Sequence, residues 1–164
     1  MLRHGKYKPA GRGKPASEFL LKAAMAGQFP PVNPPVDVNN AISLESGLPG
    51  SIFDLKLSGP DLLLRRGQPE ESYVFNRTGQ GIDLQDLLLL CRRHDGEWQP
   101  CGNPVKDSMD TKIQDSTRDV VAVLYAPADE ATTEVGRWAE RYAEALRNHC
   151  GADRVMWRVV ELED

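Results

Sequence analysis

The chain has 164 residues, 40% apolar and 27% charged, a balance that suits one hydrophobic core and excludes an intrinsically disordered segment. Its formal net charge is -4, so the global basic field of most nucleic-acid binders is absent. The charge is uneven, however: the first sixteen residues hold Arg3, Lys6, Lys8, Arg12 and Lys14 with no acid, so a +5 segment precedes a remainder of -9. Residues 1–14 therefore read as a basic, solvated arm and 15–164 as one domain.

The first predicted helix runs from about 16 to 26, with Pro15 at its start, Gly27 at its end, and Phe19, Leu20, Ala23 and Ala24 as an apolar stripe. The stretch FPPVNPP follows, and its prolines Pro30, Pro31, Pro34 and Pro35 predict a stiff connector. A second helix is expected over 36–46, carrying Val38 and Ile42 on adjacent turns, with Asp37 near its start and Gly47 as its cap. LPGSIFD then reads as a turn re-entering extended chain. Four short apolar runs predict strands: 61–65, 72–75, 86–91 and 119–126. Gly79 and Gly81 mark one turn among them, and Asp95-Gly96 marks a hairpin. The run ending in Cys91 also fits a helix by periodicity, but the turn dipeptide after it favours a strand. From Thr132 to Cys150 the residues Val135, Trp138, Ala139, Tyr142, Ala145 and Leu146 recur at helical spacing, and Gly151 ends the helix. A last strand is expected over 154–162, with Val155, Trp157 and Val159 on one face. Helices, then strands, then a helix and a strand define an α+β class.

Common catalytic and nucleotide motifs are missing: no phosphate-cradling Gly-rich loop, no nucleophile elbow, no HExxH. No cofactor or metal is expected. Cys91, His94 and Cys101 lie close in sequence but lack a fourth zinc ligand at finger spacing, and they read as two core thiols and a surface histidine. Cys91, Cys101 and Cys150 give no disulfide framework. No secretory leader and no run of about 18 apolar residues is visible, so no membrane partner is expected and the cytoplasm is the expected compartment. Trp138 and Tyr142 are read as core residues rather than base-stacking ones. Two polar groups stand out as candidate sites: Asn39, Asn40, Ser43 and Ser51 around the second helix, and Asn103, Lys106, Asp107, Ser108, Asp110 and Thr111 in the long polar stretch CGNPVKDSMDTK. The same residues also fit ordinary turn chemistry.

At these two groups the chain resembles the editing (B3/B4) domain of the phenylalanyl-tRNA synthetase beta subunit. VDVNNAISLESGLPGSIFD is similar to that domain's helix-turn signature through Asp37, Asn40, Leu44, Glu45, Gly47, Pro49, Phe53 and Asp54. Gly59, Leu64, Arg65 and Glu70 or Glu71 fit the strand that follows, and DSMDTKIQDSTRD, with Ser108 and Thr117, resembles free-standing members of the family. The resemblance covers about residues 14–126, with the C-terminal helix and strand as elaborations. It implies an α+β fold with sheets packed as an unusual sandwich and helices around them. It also implies hydrolysis of an amino acid wrongly esterified to tRNA, in which the protein places the carbonyl, orients water and stabilises the oxyanion.

Carried over residue by residue, the family's site Thr falls on Asn39, its His on Ser51 and its Glu on Val123. The absent His and Glu argue against tyrosine as the amino acid. The expected catalytic group is Asn39, Ser51 and Asp107, with Asn40, Asn103 and Ser108 binding substrate. Arg12, Lys14, Arg65 and Arg66 are expected to meet the phosphates of tRNA or aminoacyl-tRNA. The alternatives are a non-catalytic module that binds tRNA or a free amino acid, and a small-molecule hydrolase unrelated to tRNA.

Overall fold

The helix α1 (Ala16–Met25) starts directly after Pro15 and ends ahead of Gly27, whose φ of +65° favours a residue without a Cβ. The computed structural model describes residues 2–29 and 31–161. Of the stripe expected on α1, Leu20 is buried, whereas Phe19 is 63% exposed. In α2 (Pro34–Ser46), Pro34 and Pro35 are not part of a connector. They occupy the first turn, where a missing N–H costs nothing, and the Asn33 side chain caps that turn by accepting from the Val36 amide at 3.1 Å. Pro30 lies outside the described residues. Gly47 closes α2 in the left-handed conformation, as expected.

Past residues 47–49 the chain re-enters extended structure, as expected, in the strand β1 (Gly50–Asp54), which is followed by one helical turn, α3 (Leu55–Ser58). The strands β2 (Leu62–Arg66), β3 (Ser72–Val74), β4 (Gly81–Asp83), β5 (Leu88–His94), β6 (Glu97–Gly102) and β7 (Val120–Leu124) follow. The chain ends in α4 (Thr132–Cys150), with the bounds its periodicity predicts and Gly151 as a left-handed cap. This is an α+β fold, with antiparallel pairing in β2–β5–β6 and in β3–β4. β1 pairs with β7, and the bonds Leu55 N–H to Asp119 O and Tyr125 N–H to Pro49 O, whose residue numbers share one sum, mark that ladder as antiparallel too.

The chain forms two compact units. One comprises Ser17–Gly50 and the chain from Leu124 onward. Here Val38 and Ile42 of α2, and Tyr142, Ala143, Ala145 and Leu146 of α4, are buried. Glu45 pairs with Arg141 at 3.5 Å. Residues 154–161, within the strand expected over 154–162, form no strand. They run along α4 through side chains: Thr132 bonds Glu161, the Trp157 indole N–H donates to Glu140 at 2.6 Å, and Arg147 donates to the Val155 carbonyl. The apolar alternation that suggested a strand places Trp157 against the α4 backbone at Gly136.

The other unit comprises Leu2–Ala16 and Ser51–Val123. The N-terminal segment, read from sequence as a separate arm, belongs to it. The Lys6 amide donates to Asp86 at 2.7 Å, and Tyr7 packs on a core of Leu84, Leu87, Leu89, Cys91 and Val105. In β5 the residues Leu88 to Cys91 are all buried, so both faces are covered and the strand shows no alternation. Asp95 and Gly96 have φ of +49° and +84°, the primed turn that the dipeptide predicts. Pro100 sits opposite Cys91 at a register shift, where a residue without an N–H disturbs no ladder bond.

Candidate functional site

β1 carries Ser51, and the loop leaving β6 carries Asp107 back to it: the Ser51 hydroxyl donates to Asp107 Oδ1 at 2.6 Å. Asn103 shapes that loop. Its Oδ1 accepts from the amides of Val105 and Lys106 at 2.7 and 2.9 Å, and its Nδ2 donates to the Tyr73 hydroxyl, which donates in turn to the Lys106 carbonyl. The Ser108 amide donates to Cys101 O, and the Ser108 side chain caps a short 3-10 turn at Met109–Thr111. Gly102 makes room for the whole arrangement. A Cβ there would stand 2.4 Å from the Phe53 ring and 2.8 Å from Asp107 Oδ1, closer than van der Waals contact allows.

Asp107 is half-buried as a residue, but its carboxyl is enclosed, and burial pushes the group up from 3.8 to about 7. The hydroxyl of Ser51, the amides of Ile52 and Asn103, and the Lys112 ammonium oppose that rise by favouring the charged form. Lys112 is itself held below its ordinary value, first by burial and then by Lys106 and Arg77, while Asp107 pulls it up. Its Nζ donates to the Phe75 carbonyl at 2.6 Å. The result is a carboxyl that exchanges its proton near neutrality, hydrogen-bonded to a buried hydroxyl. Groups poised in this way suit general acid–base chemistry.

The other residues expected at the site have separate engagements. Asn39, in the helical unit, accepts from the Tyr142 hydroxyl at 2.8 Å and donates to the Gly50 carbonyl at 3.4 Å. Asn40 is half-buried on α2. Asn103 and Ser108, expected to bind substrate, are almost fully buried, and their polar atoms build the loop instead. Arg65 forms a two-pronged pair with Glu71 at 2.8 and 2.6 Å, which lowers Glu71 below the ordinary carboxylate range and leaves no free guanidinium for phosphate. Arg66 donates to the Asp86 carbonyl, and Lys14 is half-buried and engaged. The Arg12 side chain lies outside the described residues.

Sequence reasoning did not single out Lys112, Tyr73 or the structural role of Gly102. Two residues of the resemblance, Asp54 and Thr117, do meet, with the Thr117 hydroxyl donating to Asp54 Oδ2. They line a cleft of about 420 Å³ with Lys56 and Arg118, but Asp54 Oδ1 is taken by the Lys56 and Leu57 amides, so its carboxylate serves the fold. Cys91 and Cys101 are buried core thiols, and His94 is surface-exposed beside the hairpin turn, as expected. Burial pushes the Cys101 thiol up to about 12, which keeps it protonated. Among the described residues no group of three or more His, Cys, Asp or Glu is placed to hold a metal ion, and no helix is long and apolar enough to cross a membrane.

An α+β module with antiparallel sheets, a helix-turn leading into a buried strand serine and a loop that returns Asp107 to it defines the class. The chain belongs to the B3/4 domain family, the domain found in the phenylalanyl-tRNA synthetase beta subunit: the family model matches residues 10–147. That match extends past residue 126, where the resemblance was expected to stop, and takes in most of α4.

Proposed function

We propose that the protein hydrolyses the ester joining an amino acid to a misacylated tRNA, with Asp107 as general base. Family membership supports the substrate class, and the Ser51–Asp107 contact carries the chemistry. Asp107 takes a proton from water as the water oxygen attacks the ester carbonyl carbon. The tetrahedral intermediate then collapses, the bond to the ribose oxygen breaks, and that oxygen receives the proton from Asp107. The products are a free amino acid and tRNA with its hydroxyl restored. Ser51 is a positioning residue, because its hydroxyl fixes the carboxylate and favours its charged form.

Asp107→Asn should abolish deacylation while tRNA binding persists. Ser51→Ala removes a bond that holds the Asp107 pKa down, so its residual rate profile should move to higher pH. An unshifted profile would remove Asp107 from the role of base. A second reading, a non-catalytic module that binds tRNA or an amino acid, is favoured by one observation: Ser51 is fully buried.

A further inference from the structure

The groups around Asp107 are unbalanced in charge. Lys106, Lys112 and Arg77 lie close enough together that the charges of Lys106 and Arg77 act on Lys112, and Asp107 is the carboxylate that offsets them there. The cluster is built into the fold. The Lys106 ammonium sits 4.2 Å from the centre of the Phe75 ring, and Lys112 is fixed on the Phe75 carbonyl. Arg77 is exposed on the β3–β4 turn, which Asn76 stiffens by accepting from Thr78 and from the Gln80 amide. Among the described residues neither Lys106 nor Arg77 makes an ion pair with an acid, although acids outnumber Lys and Arg by 24 to 20 in this chain. Three cations share the single carboxylate of Asp107 there, and an anion joining the site would offset the excess positive charge.

We infer that Arg77, Lys106 and Lys112 form a phosphate site that takes a backbone phosphodiester of an RNA strand beside the reacting ester. The inference rests on the ester-hydrolysis reading for its choice of occupant. An aminoacyl ester has no free carboxylate and carries an ammonium that these cations repel, so they suit the nucleotide side of the substrate. Arg77 is exposed, Lys106 is half-buried with its ammonium over the Phe75 ring, and half-buried Lys112 adds charge to the same cluster. The cluster replaces Arg65, whose guanidinium Glu71 already occupies, as the phosphate contact.

The test is fluorescence anisotropy of a labelled, uncharged single-stranded RNA, titrated with salt against the wild type, Arg77→Gln, Arg77→Gln/Lys106→Gln and the control Lys22→Gln, which alters an exposed cation on α1. Each lost contact should lower the slope of log affinity against log salt by about 0.7, and the double variant should lower it by about 1.4. Lys22→Gln should leave the slope unchanged. Among the described residues Arg77 has no hydrogen-bond or ion-pair partner to lose, so that variant folds even where the double variant does not. RNA binding with one slope in all four proteins overturns the phosphate site and leaves the hydrolase reading standing. A wild type that binds no RNA at low salt overturns the site and the tRNA reading together. Inorganic phosphate that displaces RNA at equal ionic strength, with an affinity matching that of the RNA, identifies a free-phosphate site and overturns the strand assignment. Deacylation measured separately on the wild type reports on the chemistry alone.

Discussion

Raising the pH from about 5 to about 8 should destabilise this protein, and Asp107 should be the main cause. Its carboxyl rises from 3.8 to about 7 on folding, so the folded chain holds that proton more tightly than the unfolded chain does. The stability linked to the proton is complete below the unfolded value, declines as pH climbs through the window between the two, and levels off above about 7. Within the window the slope approaches about 1.4 kcal/mol per pH unit, and integration from about pH 5 to about pH 8 gives a loss of about 2.5 kcal/mol. That figure is an upper bound, because the residue keeps some exposure and solvent screens its charge. The assay is urea unfolding followed by tryptophan fluorescence from the three tryptophans, since urea leaves electrostatics unscreened. Asp107→Asn cannot titrate. Its amide also meets the Ile52 and Asn103 N–H donors unfavourably, but that cost is the same at every pH. The wild-type curve should therefore fall relative to the variant as pH rises. A constant gap between the two curves across the window would refute the reasoning.

Asn39→Ala removes the bonds to Tyr142 and Gly50 and should lower stability by about 1 kcal/mol, read from the unfolding midpoint. Glu71→Gln breaks the two-pronged pair with Arg65 and should cost about 1 kcal/mol near neutral pH. Because Glu71 is held below 4.5 in the folded chain, its contribution is present above that value and is lost as pH falls through the lowered one. The difference between wild type and Glu71→Gln should therefore vanish in acid, as acid titration followed by circular dichroism can show.

Where one physical signal dominated, the fold could be read from the sequence. In α4 the apolar stripe, the opposite charged face and Gly151 all agree, and the helix has the predicted bounds. The Asp95-Gly96 turn needs positive φ at both positions, and that dipeptide supplies it cheaply. β1 was legible as extended chain but not as a bounded strand, because its residues from Ser51 to Asp54 are all buried and so show no alternation. Pro34 and Pro35 were misplaced because a proline pair looks the same in a connector and in a first helical turn, and the deciding feature is the Asn33 cap. Residues 154–161 alternate for a reason other than pairing: they dock on α4. At the site, Ser51 and Asp107 are 56 residues apart, and neither spacing nor composition joins them. The resemblance pointed to the neighbourhood of both, but it could not show that Asn103 and Ser108 are consumed in building the loop that holds Asp107.

The most direct measurement is release of amino acid from a panel of tRNAs, each mischarged with a different amino acid, by the wild type and by Asp107→Asn. The proposed mechanism predicts rapid release from one member of the panel by the wild type and none by the variant, with tRNA binding retained in both. Equal release by both proteins would contradict the role of Asp107, and no release from any member alongside intact tRNA binding would establish the non-catalytic module in its place.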